Sequence, residues 1–240
     1  RGDITIQGAA LTLLGGDNAH HMALIGEFGD PESANQAINI TLSGDLVMTG
    51  GNYGSSAAQI GSLAQTFDGT LTQPITISAA NITMTGGNAN YSQAHIGGGW
   101  LSLGVTDHKI SGSHISVTAS GTLTMVQGTG GSAIGHTTSG TQPAQSNLNV
   151  SAGVWNVHSL SGMIDNGLDY GNVTIVNTGG ALTLEGDIVA ASTHDLVVRA
   201  KGNLTVGSAS NDWSFTNTGS GRIALASIEG NFLQEYGMEK

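Results

Sequence analysis

Three short apolar packets recur along this chain in a constant order and nearly in step. That periodicity restricts the available folds more than any other feature of the sequence. The first packet, Leu11-Thr12-Leu13-Leu14-Gly15-Gly16, returns as Leu46-Val47-Met48-Thr49-Gly50-Gly51, Ile82-Thr83-Met84-Thr85-Gly86-Gly87 and Leu123-Thr124-Met125-Val126-Gln127-Gly128, at spacings of 35, 36 and 41 residues. The second follows at a near-constant offset as Ala23-Leu24-Ile25-Gly26, Ala58-Gln59-Ile60-Gly61, Ala94-His95-Ile96-Gly97 and Ala133-Ile134-Gly135. The third closes each cycle: Ile38-Asn39-Ile40-Thr41-Leu42, Ile75-Thr76-Ile77-Ser78, Ile115-Ser116-Val117-Thr118 and Leu148-Asn149-Val150-Ser151.

Within a packet every second residue is apolar, so its apolar side chains leave one face of a strand and its Thr, Ser or Asn the other. Self-similarity at such a period marks a stacked-repeat architecture, in which each unit covers the apolar face of the next. A hairpin sandwich would show Asn-Gly or Asp-Gly turns at regular short spacing. Asn166-Gly167 and Asp68-Gly69 do not recur in register. The expected fold is therefore all-β: a right-handed parallel β-helix, a three-faced solenoid, with handedness taken from the general preference for right-handed crossovers. Its interior columns are expected to be Leu11, Leu46, Ile82 and Leu123, with Leu13, Met48, Met84 and Met125 beside them, and Ile25, Ile60, Ile96 and Ile134 on another face.

After about residue 153 the cycle shortens, with Leu182-Thr183-Leu184, Leu204-Thr205-Val206 and Ile223-Ala224-Leu225 separated by 22 and 19 residues. Leu182, Leu184, Leu204, Val206, Ile223 and Leu225 extend the columns in that reading. The longer cycles carry polar insertions at Phe28 to Gln36, Gln65 to Gln73, Ser102 to Ser113 and His136 to Ser146. One β-helical segment is expected over 1–240, with long cycles in 1–152, short ones in 153–227 and a tail at 228–240 that forms a short helix or an irregular end. Whether a 36-residue cycle is one coil or two of 18 stays open. The paired glycines at 15–16, 50–51 and 86–87 are expected at corners that need positive φ.

Charge narrows the function classes. Six Lys and Arg against 17 Asp and Glu leave a formal net charge of −11, and no basic stripe exists to displace phosphate counterions, which argues against nucleic acid. With no cysteine, a disulfide framework and a thiolate metal site are excluded. No run of about 20 apolar residues is present, so no membrane span is read. The strand-like Ile4-Thr5-Ile6 follows so closely on Arg1 that the chain is expected to be a piece of a longer protein, its open strand edges leading into further coils or into self-association.

Strand openers such as Gly2-Asp3-Ile4-Thr5-Ile6 and Gly202-Asn203-Leu204-Thr205-Val206, with Tyr91-Ser92-Gln93-Ala94-His95-Ile96-Gly97-Gly98-Gly99, resemble filamentous-haemagglutinin-like exoproteins of two-partner secretion systems. The resemblance is one of repeat style over nearly the whole chain. It implies a secreted rod at the bacterial outer surface, exported through an outer-membrane β-barrel transporter partner. It further implies non-catalytic attachment to host cells, to other bacteria or to biofilm polysaccharide. The alternative is a β-helical polysaccharide-degrading enzyme, or a carbohydrate-binding module of phage-tailspike type. Against the enzyme stand scattered bases and the lack of recurring carboxylates on one column.

Candidate binding residues are few. Arg1, Gly2 and Asp3 form an integrin-type tripeptide, set against a simple turn before a strand, which Gly44-Asp45 and Gly186-Asp187 repeat without arginine. Tyr53, Tyr91 and Trp100 are candidates for stacking on sugar rings, and Tyr53 and Tyr91, which follow the Gly-Gly corner in equivalent cycles, are read either as a small exposed ladder or as packing under the inserted loops. Trp155, Trp213, Tyr170 and Tyr236 complete the aromatic set, and Trp213 and Phe215 are read as core. The eight histidines show no zinc spacing, and His95 occupies the slot of Gln59, which suggests a polar spacer. Acidic turns at Asp17, Asp30-Pro31-Glu32 and Asp165 to Asp169 match no calcium loop pattern. Asn39, Asn81, Asn149, Asn172 and Asn203 stand in Asn-x-Ser/Thr sequons, and an asparagine ladder is weighed above glycosylation for them. No catalytic residue, metal ligand or cofactor motif is read. A rank of Thr-x-Thr suited to ice is not read either, because Thr70-Leu71-Thr72 and Thr122-Leu123-Thr124 do not recur.

Overall fold

The computed structural model describes residues 2–29, 35–64, 70–98, 109–110, 113–136, 146–157, 172–184, 188–190, 195–206, 215–217 and 221–234. Among these the chain is all-β, with no helix, and its strands pair in parallel in stacked sheets.

The third packets build the longest sheet. Ile4–Gly8, Ile38–Leu42, Ile75–Ala79, Ile115–Val126, Leu148–Val157, Val173–Asn177, Leu196–Ala200 and Ile223–Ser227 lie side by side in that order. Ile38 sits beside Ile75, and Ile75 beside Ile115. The first packets stack likewise, with Leu11 on Leu46, Leu46 on Ile82 and Ile82 on Leu123. The second packets form a separate four-stranded sheet, with Ile25, Ile60, Ile96 and Ile134 in one row. Successive cycles thus meet at the full repeat. The 36-residue period is one layer of the stack, since a strand at half that distance would otherwise lie between Leu46 and Ile82.

Alternation explains why these rows are buried. In Ile75–Ala79 residues 75, 77 and 79 are buried while Thr76 and Ser78 are exposed. Leu46, Met48, Ile60, Ile82, Met84 and Ile96 are sealed from solvent in the same cluster. Each such side chain contributes roughly 1.5–3 kcal/mol on burial. Leu13, Leu123, Met125, Ile134, Leu182, Leu184, Leu204 and Val206 share that core. Ile4, Ile6, Leu11, Ile25, Ile223 and Leu225 are only partly buried, at the first and last described layers.

Three expectations need correction. Ile223 and Leu225 do not stack on Leu204 and Val206. They pair with Leu196 and Val198, while Leu204 and Val206 pair with Phe232 and Gln234. The apparent 19-residue step compared strands of two different rows, both of which read Leu-x-Val/Leu. The tail is consequently neither helical nor irregular at Phe232–Gln234, which is a strand in the first-packet row. Trp155 is a column residue: Leu148–Val157 continues past a register shift, and Trp155 takes the place beside Leu123. Its ring packs against the core, and its Nε1–H donates to the Val176 carbonyl at 3.1 Å.

The glycine expectation moves by one corner. Positive φ recurs at Gly26, Gly61, Gly97 and Gly135, the glycines that end the second packet, and occurs besides at Gly128 and Gly131 of the fourth cycle. The Gly-Gly pairs at 15–16, 50–51 and 86–87 have ordinary φ and are needed for close approach. A Cβ on Gly50 would lie 1.9 Å from the Ser92 carbonyl oxygen, and one on Gly87 2.0 Å from that of Gly51.

Candidate functional site

Parallel stacking converts each sequence position into a row, and three rows carry polar chemistry. The first lies where the third-packet strands start. Asp3 accepts the Ala37 N–H through Oδ1 at 2.9 Å, and His114 Nδ1 accepts that of Asn147. Asn147 accepts the Asn172 N–H, Asn172 that of Asp195, and Asp195 that of Arg222, whose guanidinium also pairs with it. Each short side chain reaches the backbone of the following layer. The row is broken over two successive layers: Ala37 has no side-chain acceptor, and Pro74, stacked on it, has neither an acceptor side chain nor an N–H to offer. A parallel row starts the first packets, where Asn81 accepts the Thr122 N–H and Asn203 that of Asn231.

This ladder absorbs two sequence signals. Asp3 of the Arg1-Gly2-Asp3 tripeptide holds a neighbouring strand, and Arg1 lies outside the described residues. Of the sequon asparagines named above, Asn81, Asn172 and Asn203 are ladder members, whereas Asn39 and Asn149 stand on the outward sheet face. Asn172→Ala is expected to cost about 1 kcal/mol, the worth of one hydrogen bond to a half-exposed N–H. Urea unfolding of the variant checks this, and Asn149→Ala, which breaks no such bond, should stay within about 0.5 kcal/mol of wild type.

The second polar feature lies at the base of the insertions. In the middle layers, residues that leave the second packet and residues that return to the third are buried and joined. The Ser62 N–H donates to Gln73 Oε1 at 2.8 Å, and the Gln73 N–H to Ser113 Oγ at 2.6 Å. His136 Nδ1 accepts the Gly98 N–H at 2.8 Å, and its Nε2 lies 2.7 Å from the Ser113 carbonyl, which fixes the Nε2–H tautomer. His95 is buried beside it, with Nε2 2.7 Å from the Gly135 carbonyl. Gln59 makes the same reach one layer earlier, from Nε2 to the Gly97 carbonyl at 3.2 Å. Burial lowers both imidazoles to a pKa of about 4, partly offset by their hydrogen bonds to backbone. Sequence reading passed over His136, Gln73 and Ser113. The available signal was a polar residue two places before every third packet, at Gln36, Gln73, Ser113 and Ser146, all buried.

Tyr53 and Tyr91 are both exposed, at 52% and 44%, but they form no ladder. Tyr91 occupies a left-handed position shared with His20 and Ser55, with φ near +63° in each. Tyr53 sits two places earlier in the turn, where Asn18 and Ala89 stand in the adjacent layers, each accepting the N–H three residues on. Trp100, Tyr170, Trp213 and Tyr236 lie outside the described residues, as does the side chain of Phe215. Among the described residues no three His, Asp or Glu side chains converge as a metal site.

The third feature is the outward surface of the long sheet. Thr5, Asn39, Thr76, Ser116 and Asn149 form one row across five strands. Gln7, Thr41, Ser78, Thr118 and Ser151 form the next. On the three strands that follow, the same rows change to Thr174, Val197 and Ala224, and to Val176, Arg199 and Ala226. Comparison of the chain with protein-family models, with curated proteins and with solved structures finds no match.

Proposed function

We propose that this chain is a segment of a right-handed, three-faced parallel β-helix that serves as the shaft of a large bacterial surface adhesin. The reading extends to export through an outer-membrane β-barrel partner and to attachment without catalysis, as the resemblance to filamentous-haemagglutinin-like exoproteins implies. One observation carries it: equivalent residues of successive cycles stand beside one another, Leu46 by Ile82 by Leu123, so length grows by adding layers rather than by enlarging a core. A rod of this kind supplies reach and a repeated surface. The convergent acid, base and nucleophile that turnover requires are not what the buried histidines provide, since His136 spends both ring nitrogens on backbone groups.

The test is binding of the purified, fluorescently labelled chain to bacterial cells, to epithelial cells and to immobilised biofilm polysaccharide. Saturable binding to at least one, without release of reducing or unsaturated sugar ends, is expected. A folded chain that binds none of them overturns the reading, and sugar release replaces it with a degrading enzyme.

A further inference from the structure

The outward face of the long sheet has a composition that solubility alone does not explain. Over five consecutive strands its two rows hold only Thr, Ser, Asn and Gln. Further along the same surface the rows admit Val197, Arg199, Ala224 and Ala226, so the scaffold itself accepts apolar and charged side chains there. The chain has a net charge of −11, yet none of that charge falls on the five-strand region of these rows. Every residue in them carries a hydroxyl or amide that both donates and accepts. Parallel pairing repeats these groups roughly every 4.8 Å across the strands and about every 6.6 Å along them.

We infer that this five-strand face is a docking surface for the ordered surface of an uncharged, hydroxyl-bearing polymer, a neutral glycan packed in sheets or bundles. The inference rests on the adhesin reading and names its ligand class. Charge matching decides the partner. An acidic polysaccharide meets no cation on these rows and is opposed by the acidic remainder of the chain. A neutral glycan surface leaves no charge to be desolvated on either side. Both of the described exposed tyrosines lie on the turn arc, away from these rows, so a single sugar chain finds no aromatic platform on them. Individual hydroxyl bonds exchange with water at little net gain, and affinity must come from many contacts made at once by an extended partner. A repetitive rank of short side chains presents such contacts in register.

The experiment is co-sedimentation of the purified chain with microcrystalline cellulose and with insoluble chitin, alongside calcium-gelled alginate as an acidic polymer. A double variant, Thr41→Lys with Thr118→Lys, places long charged side chains in the middle of one row. A second, Val176→Lys with Ala226→Lys, places the same charges on the distal strands of that row. The wild type is expected to sediment with cellulose or chitin, with little dependence on salt. The first variant should lose at least about tenfold in affinity, and the second should bind within about twofold of wild type. Circular dichroism checks that both are folded. Should Thr41→Lys with Thr118→Lys fail to fold, Ser78→Lys alone replaces it. The inference is overturned by binding to alginate only, by undiminished binding of the central variant, or by equal loss in both variants. Thermal hysteresis with no glycan binding also overturns it, in favour of ordered water as the partner. If the chain binds cells but neither neutral glycan, this inference fails and the adhesin reading stands; if it binds nothing, both fail.

Discussion

Lowering the pH from 7 to 4 is expected to remove about 6 kcal/mol of stability through two side chains, His95 and His136. Both are sealed from solvent and neutral, with pKa values of about 4 where an unfolded histidine has 6.5. The unfolded chain takes up their protons first, so the stability they permit is complete above pH 6.5 and is lost progressively as pH falls toward 4. At 1.36 kcal/mol per unit, each depression of this size is worth about 3 kcal/mol at pH 4. His136 has a further reason to resist protonation, because Nδ1 is the acceptor for the Gly98 N–H and a second ring proton would oppose that donor. The slot of His95 holds Gln59 one layer earlier, so His95→Gln keeps the reach to backbone and removes the titration. Urea unfolding at pH 7 and pH 4 should show the variant losing about 3 kcal/mol less than wild type between the two. Identical losses would mean that His95 is not buried in the folded chain.

Gly97→Ala should be among the most damaging single-methyl changes at the described residues. The backbone there has φ of +150°, and a Cβ would stand 1.8 Å from the Gly135 carbonyl oxygen and 2.6 Å from its carbon. The obstacle is backbone of the next layer, which cannot rotate away as a side chain would. Gly135 also donates its own N–H to the Ile96 carbonyl, so moving it breaks the corner row. Strained φ costs about 1–3 kcal/mol, and the displaced corner adds to it, giving a loss of roughly 3 kcal/mol or more. In urea this is a fall in midpoint of roughly 1 M for a slope near 3 kcal/mol per molar. Gly180→Ala meets nothing within 4 Å and should be near neutral. A Gly97→Ala chain as stable as Gly180→Ala would refute the stacked corner.

Much of the fold was legible because a parallel stack writes its geometry into the sequence as a period. Ile75, Ile77 and Ile115, Val117 announce both which way they face and what they lie beside, since like residues must meet in adjacent layers. The period is ambiguous where two rows share one pattern. Ile223-Ala224-Leu225 and Leu204-Thr205-Val206 read alike, and only their hydrogen bonds to different partners separate them. Trp155 gives no period signal for a related reason: a one-residue register shift between Ala119 and Thr122 puts it in a column that its identity does not resemble.

The candidate surfaces divide along the same line. A ladder of asparagines was open to sequence reading because Asn and Asp recur one place before the packets. Tyr53 and Tyr91 both follow Gly-Gly, which makes a ladder one of two readings open in sequence, yet the turn sets them two positions apart. The two uncharged polar rows were hidden by mixing Thr, Ser, Asn and Gln, which look unrelated as letters but share the capacity both to donate and to accept a hydrogen bond without charge. Local alternation and period, properties of neighbouring residues, determined the strands, the inward faces and the one-layer repeat. Which row a strand joins, which glycine takes positive φ and which polar side chains become buried were decided only in the tertiary structure. Those outcomes depend on contacts between residues 11 to 41 positions apart, whose register is set by how all the layers close together.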